Sequence, residues 1–167
     1  ISTEDLKQLN GERFFEVYNG HPAVNNEGDD MHIDTETMWD LVNIHYLNEG
    51  KPLLFGIATD DSHRYHSFSS EDSNTGRGWV MVNCKKLAIG NIISAMEKGD
   101  FYASTGVHLK RLFTDKKQIE IEVDPEFGVI YEIFFIGYKK GAEDVVELKK
   151  VIGNSASYTF KKEDVFV

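Results

Sequence analysis

The sequence predicts an α/β fold followed by a small, antiparallel, β-sandwich-like module. Up to about residue 108, amphipathic helices alternate with short strands that are apolar along nearly their whole length. Such strands are typical of sheets covered on both faces, so this part is predicted to belong to a parallel sheet or barrel. From Lys110 onward, period-two alternation between turn residues indicates antiparallel strands instead. We therefore predict an α/β part at residues 1–108 and a β-rich part at residues 109–167.

The composition is that of an ordinary globular protein. A chain of 167 residues with 41% hydrophobic and 28% charged residues can bury the core of one domain, with or without a small appendage. The formal net charge of −10 argues against a nucleic-acid-binding surface, which needs clustered basic residues. No apolar run approaches the roughly 18 residues of a membrane span, and no signal peptide is visible. The protein is predicted to be soluble, and its location, cytoplasmic or exported, stays open.

The first elements follow from capping and periodicity. Residues 2–9 are predicted to form a short capped helix, and residues 14–18 an aromatic-rich strand that ends in the turn 19–22. A second helix opens at Asp34, carries apolar residues at i, i+3 and i+4, and ends at Gly50.

The next elements repeat the alternation. Residues 53–58 form a nearly continuous apolar strand, and residues 79–82 form another after a long polar loop. A third amphipathic helix covers residues 89–96 and is closed by Gly99, and a strand follows at residues 101–104. The β-rich part contributes further extended segments, at residues 118–123, 129–138, 145–152, 157–160 and 165–167.

The candidate chemistry follows the strand at residues 53–58, where two carboxylates and two imidazoles are close together: Asp60, Asp61, His63 and His66. Such groups at the end of a buried strand are costly to desolvate without partners. Oxygen and nitrogen ligands two residues apart suit zinc, manganese or iron, and sites in α/β folds collect at the carboxyl ends of strands. The alternative is a polar turn in which Asp61 caps the backbone and His63 is exposed.

The segment Ile57–His63 (IATDDSH) resembles the last metal-binding motif of the PHP (polymerase and histidinol phosphatase) superfamily of metal-dependent phosphoesterases. Residues Phe15–Pro22 look like the strand that precedes that motif, and Gly76–Val82 and Gly99–Gly106 look like the closing elements of the same domain. The resemblance covers roughly residues 1 to 108.

The resemblance implies the C-terminal portion of a distorted (β/α)7 barrel that holds two or three divalent metal ions, usually zinc, manganese or iron. These ions activate a water molecule that attacks phosphorus. Asp61 and His63 match the family's final ligand pair. His21 lies where some members supply another histidine ligand, and the alternative for it is a turn histidine.

Several ligands of the family pattern have no counterpart in these residues, including the opening His-x-His motif and the middle glutamate and histidine. The chain begins at Ile1 rather than at a methionine and ends at Val167 inside a predicted strand, so both ends look cut. We therefore expect a fragment whose partner is the missing N-terminal part of the same protein, and which is inactive alone.

Other residues near the motif are candidates for supporting roles. Arg77 lies between two glycines and, like Arg64, could hold phosphate oxygens; the alternative for Arg77 is a surface salt bridge. Asp60, Glu16 and His66 could support the ligands without binding metal. The alternatives are a turn cap for Asp60, a helix contact for Glu16 and an exposed side chain for His66.

The resemblance predicts that the parent protein is a metal-dependent hydrolase acting on a small-molecule phosphate ester, whose identity the sequence does not contain. The alternative is a non-catalytic module, in which the β-rich part binds a partner or a carbohydrate and the rest is a scaffold.

Overall fold

Strands make up 34% of the chain and helices 17% in the computed structural model, which describes all of residues 1–167. The chain divides into two units, Ile1–Gly106 and Val107–Val167. The first unit contains α1 (Thr3–Lys7), β1 (Phe14–Asn19), α2 (Thr35–Asn48), β2 (Phe55–Thr59), β3 (Trp79–Val82), α3 (Ile89–Lys98) and β4 (Phe101–Ser104). The second contains β5 (Leu109–Thr114), β6 (Gln118–Val123), β7 (Glu132–Lys139), β8 (Val145–Ile152), β9 (Ser155–Thr159) and β10 (Asp164–Phe166).

One βαβ unit organises the first half of the chain. Strands β1 and β2 pair in parallel, with Phe14 opposite Phe55 and Asn19 opposite Thr59, and α2 makes the crossover between them. The helix starts where the Asp34 carboxylate accepts a hydrogen bond from the backbone N–H of Thr37 at 2.7 Å. Because the two strands run in the same direction, the segments that follow them emerge at one edge of the sheet.

The predicted α/β class, as part of a (β/α)7 barrel, is wrong. The fold is rich in β structure, its strands lie in four separate sheets of two or three strands, and no barrel closes. Strands β3 and β4 pair with each other antiparallel, although α3 connects them. The prediction failed because an apolar run indicates a buried strand but carries no information about its neighbour or its direction.

The core of the first unit lies between α2 and the β1–β2 pair. Val42, Tyr46 and Leu54 are buried together, with Leu6, Phe15 and Trp39 packed around them. Asn43 is also buried, and its side chain holds both backbone groups of Leu54: Oδ1 accepts from the N–H at 2.8 Å and Nδ2 donates to the carbonyl at 3.3 Å. This satisfied pair ties the helix to the start of β2.

The second unit consists of two three-stranded antiparallel sheets, in the orders β5-β6-β9 and β10-β7-β8. Strand β7 alternates, so that Ile133 and Phe135 are buried while Phe134 and Ile136 are exposed. The buried pair packs with Val123 and Tyr158, and the rings of Phe135 and Tyr158 stack with centroids 5.6 Å apart. None of the helices combines the length and the apolar character that a membrane span requires.

Candidate functional site

The candidate residues lie at the edge where β1 and β2 end. Gly20 extends the parallel pairing past Asn19, because its N–H donates to the carbonyl oxygen of Thr59 at 2.8 Å. The chain after β1 therefore brings His21 next to the chain after β2. The ring centroids of His21 and His63 are 5.9 Å apart with the rings nearly perpendicular.

Asp61 and His63 form the centre of the site. Asp61 has φ 49° and is the one non-glycine residue in the left-handed region, which aspartate tolerates better than most residues. Its carboxylate Oδ1 lies 3.5 Å from Nδ1 of His63, and its carbonyl oxygen lies 2.7 Å from the same nitrogen. Because a carbonyl oxygen only accepts hydrogen bonds, Nδ1 carries the proton of the neutral ring, and Nε2 has a free lone pair. That tautomer suits metal binding through Nε2.

His21 is arranged differently. Its Nδ1 accepts a hydrogen bond from the backbone N–H of Ala23 at 3.1 Å, so a neutral His21 carries its proton on Nε2. It therefore offers no ligand atom unless this bond to Ala23 breaks. No group of three or more histidine, cysteine, aspartate or glutamate side chains is placed to hold a metal ion. Asp61 and His63 fit as one part of a ligand shell, and the predicted set of three is not assembled.

A polar network on β1 positions the Asp61 carboxylate. Asn19 Nδ2 donates to Glu16 Oε2 at 3.1 Å and to Asp61 Oδ2 at 3.4 Å. Glu16 in turn accepts a hydrogen bond from the Thr59 hydroxyl at 2.5 Å. Glu16, a predicted supporting residue, thus reaches Asp61 through Asn19. Sequence reasoning missed Asn19, since an Asn-Gly pair after a strand is most simply a turn signal.

The Asp60 side chain makes its hydrogen bonds to the backbone at the far end of the polar loop and not to Asp61, His63 or His21. Its Oδ1 accepts the backbone N–H groups of Arg77 at 2.6 Å and of Gly78 at 2.9 Å. Partial burial opposes its ionisation, but hydrogen bonds from the backbone of residues 76–78 and the charge of Arg77 outweigh it and hold the pKa of Asp60 below its usual range. Asp60 therefore fastens the far end of the polar loop to the end of β2.

The two arginines predicted to bind phosphate differ in availability. The Arg77 guanidinium donates to the carbonyl oxygens of Ser69 at 2.7 Å, Ser70 at 3.2 Å and Gly20 at 3.4 Å, so it braces the loop. The Arg64 side chain is exposed and makes no hydrogen bond or ion pair. The His66 side chain is also exposed and forms no hydrogen bond. Of these three predicted residues, Arg64 is the charged group free to meet a ligand.

Two buried polar residues that sequence reasoning missed, Ser73 and Asn74, hold the loop around His63. Ser73 accepts the N–H groups of His63 at 2.9 Å and Arg64 at 3.0 Å through its carbonyl oxygen. Asn74 donates from Nδ2 to the carbonyl oxygens of Arg64 at 2.9 Å and Ser67 at 2.8 Å. A serine and an asparagine in a polar stretch look like ordinary loop residues until their burial is known.

Comparison of the chain with protein-family models, with curated proteins and with solved structures finds no match. The resemblance to the PHP superfamily therefore depends on the sequence motif Ile57–His63 and its flanking segments alone.

Proposed function

We propose that the edge formed by β1 and β2 is part of the metal site of a phosphoesterase, in which Asp61 and His63 bind a divalent zinc, manganese or iron ion. The observation that carries the proposal is the hydrogen bond from His63 Nδ1 to the Asp61 carbonyl oxygen, which leaves the lone pair of Nε2 free on a ring whose Nδ1 lies 3.5 Å from the Asp61 carboxylate. Both side chains are accessible, with 67% of the His63 side chain and 41% of the Asp61 side chain exposed.

The chain's own residues have separate tasks in this proposal. Glu16 and Asn19 hold the Asp61 carboxylate, and the backbone and hydroxyl of Ser73 fix the backbone of His63. Arg64, whose guanidinium is unpaired, is the group that contacts phosphate oxygens. A bound divalent ion lowers the pKa of a coordinated water and so supplies a nucleophile at neutral pH.

Two ligands do not complete the shell of about four that zinc takes in proteins. The proposal therefore requires further metal ligands from protein outside these 167 residues. In the proposal, the phosphate ester binds between this chain and the protein that supplies those ligands. Substrate access is compatible with the exposed position of the site.

A non-catalytic binding module is the second candidate. It is favoured by the His21–Ala23 hydrogen bond, which occupies a predicted ligand atom, and by the lack of a third metal ligand within the chain. In that case Asp61 and His63 only shape the turn after β2.

Hydrolysis assays separate the two candidates. The longest natural polypeptide containing this chain would be assayed on p-nitrophenyl phosphate and its diester with Zn²⁺, Mn²⁺ or Fe²⁺, alongside Asp61→Asn, His63→Gln and the control His32→Gln. The proposal predicts that the first two variants lose activity by about 100-fold or more, above the 10–100-fold typical of residues that only support ligands. Metal-dependent hydrolysis that survives both substitutions would remove these residues from the site, and absence of hydrolysis with every metal would favour the binding module.

A further inference from the structure

A cavity of about 560 Å³ lies in the first unit, where β3 ends and β4 begins. One wall is the segment 83–86 after β3, and the other is the face of α3 that carries Asn91, Ser94 and Lys98. The candidate metal ligands Asp61 and His63 follow β2, and the neighbouring Asp60 accepts the N–H of Gly78, just before the other end of β3. The cavity is therefore a separate feature, and its volume is in the range of about 300–1,000 Å³ typical of small-molecule pockets.

Three lysines line this cavity: Lys85, Lys86 and Lys98. None of them forms an ion pair, whereas lysines elsewhere do, such as Lys51 with Glu49 at 2.9 Å and Lys110 with Glu122 at 2.7 Å. The protein as a whole has a net charge of −10. Three unpaired ammonium groups around one concavity therefore make the local charge positive, opposite in sign to the charge of the whole protein. A cleft lined by one sign of charge concentrates oppositely charged ligands.

The acidic group at the cavity opposes only part of this charge. Asp100 is the single carboxylate among the lining residues, against the three lysines. The neutral lining includes the Ser94 hydroxyl and the buried Ala95, which sit three and four residues after Asn91 on one face of α3. The lining thus combines positive charge with a hydroxyl donor and a small, buried apolar residue.

The wall opposite the helix is fixed by its own hydrogen bonds. The N–H of Asn83 donates to the carbonyl oxygen of Asp100 at 2.8 Å, which joins the segment to the start of β4. The carbonyl oxygen of Lys86 accepts from the N–H of Ala88 at 2.9 Å and from Nδ2 of Asn91 at 3.3 Å. The two lysines on this segment are therefore presented by a backbone that is already ordered, which lowers the entropic cost of binding.

We propose that this cavity binds a small molecule through a diphosphate group or a pair of phosphate groups. Ammonium groups bind phosphate as point charges, and a multiply charged anion gains from several of them at once. A single carboxylate would meet the same three lysines with less charge and would bind more weakly. The site needs no metal ion and does not depend on the proposed phosphoesterase activity.

Calorimetric titration of the 167-residue chain with inorganic pyrophosphate tests the proposal, with EDTA present so that no metal site contributes. The variant Lys85→Gln/Lys86→Gln removes two of the three charges, and Lys98→Gln removes the third from the opposite wall. Lys116→Gln/Lys117→Gln is the matched control, because it removes two adjacent exposed lysines from the other unit. Circular dichroism confirms that each variant is folded.

We expect saturable binding that Lys85→Gln/Lys86→Gln weakens by about tenfold or more and that falls with added salt, because the attraction is coulombic. Lys98→Gln should weaken it too, the control should leave it within about twofold, and amide chemical-shift changes should map to residues 83–100. The absence of saturable binding, or an equal loss in the control variant, would overturn the proposal. Shift changes centred outside residues 83–100 would do the same.

Discussion

At Asp61, one backbone conformation serves two purposes. Asp61 has a left-handed φ of 49° in the turn after β2, and its carbonyl oxygen lies 2.7 Å from Nδ1 of His63. This hydrogen bond decides the tautomer of the neutral His63 ring. The same residue presents its carboxylate 3.5 Å from that nitrogen. Asn tolerates this conformation as well as Asp does, so Asp61→Asn removes the charge without straining the turn.

Asp60 is expected to stabilise the protein through the loop. In Asp60→Ala, the N–H groups of Arg77 and Gly78 lose their hydrogen-bond acceptor. Each unsatisfied group should lower the free energy of unfolding by about 1–3 kcal/mol to the extent that water cannot reach it. Because the pKa of Asp60 is lowered in the folded protein, its contribution is present above its ordinary pKa near 3.8 and is lost as the pH falls below it. Urea unfolding at pH 7 and pH 3 should show a smaller acid-induced loss in Asp60→Ala than in the wild type.

The control for that measurement is Asp30→Ala, which removes an exposed carboxylate that makes no hydrogen bond. If both variants lose stability equally between the two pH values, the hydrogen bonds of Asp60 do not hold the loop.

Tyr158 should make the second unit sensitive to alkali. Burial, together with its hydrogen bond to Asp164 at 2.9 Å, raises the pKa of Tyr158 to about 12 from an ordinary value of about 10. As the pH rises, the Tyr158 hydroxyl therefore loses its proton in the unfolded chain before it does so in the folded protein. The stabilisation that Tyr158 contributes to the fold is intact below pH 10 and disappears as the pH rises towards 12. In Tyr158→Phe we expect a loss of about 1–3 kcal/mol at pH 7 and a flatter pH dependence above pH 10, measured by urea unfolding.

An exposed tyrosine provides the comparison. Tyr65→Phe should leave the alkaline slope of the wild type unchanged, since 62% of Tyr65 is exposed. If the loss of stability above pH 10 is as steep in Tyr158→Phe as in the wild type, groups other than Tyr158 cause the alkaline pH dependence.

The sequence predicts part of the site at this scale and not the rest. A single residue separates Asp61 from His63, so their proximity follows from any tight turn after β2. The hydrogen bond of His21 to Ala23 and the bridge that Asn19 makes between Glu16 and Asp61 depend on how β1 and β2 align. Spacing within one segment does not contain that alignment.

At the scale of elements, the close approach of β2 and β3 shapes the site. A Cβ atom on Gly78 would lie 2.5 Å from the carbonyl oxygen of Thr59, which is backbone and cannot move aside cheaply. Gly78→Ala should therefore separate the two strand ends, lower the melting temperature and speed hydrogen exchange at the Arg77 and Gly78 amides. Gly90→Ala is the matched control, because nothing lies near its Cβ position and it is in α3; there, alanine should stabilise by about 0.5–1 kcal/mol.

Equal melting temperatures for the two glycine variants would show that the backbones of Thr59 and Gly78 do not approach closely enough to exclude a Cβ atom. A raised melting temperature for Gly78→Ala would contradict this close approach more strongly.

Element positions were far easier to predict than their partners. The predicted helix from Asp34 and the predicted strand at residues 79–82 match α2 and β3 closely. The apolar stripe of α3 did not reveal its surroundings, because Ile89 is 79% exposed and Ile93 is 52% exposed. Periodicity shows which side chains share a face, whereas the covering of that face depends on long-range packing.

At the scale of the whole molecule, charge separates two candidate binding regions in an acidic protein. Carboxylates and imidazoles collect where β1 and β2 end, and unpaired lysines collect where β3 ends. The first arrangement suits a cation and the second an anion, so ligands of opposite charge should bind independently of each other.

The most direct measurement for the central claim is the broadening of histidine ring signals by Mn²⁺ in NMR spectra of the chain, which has six histidines. We predict that His63 broadens first, that Asp61→Asn abolishes this effect, and that Asp29→Asn does not. Asp29 is the matched control because it forms another exposed pair, with its Oδ1 2.8 Å from Nδ1 of His32. Equal broadening of His32 and His63, or unchanged broadening in Asp61→Asn, would contradict the assignment of Asp61 and His63 as metal ligands.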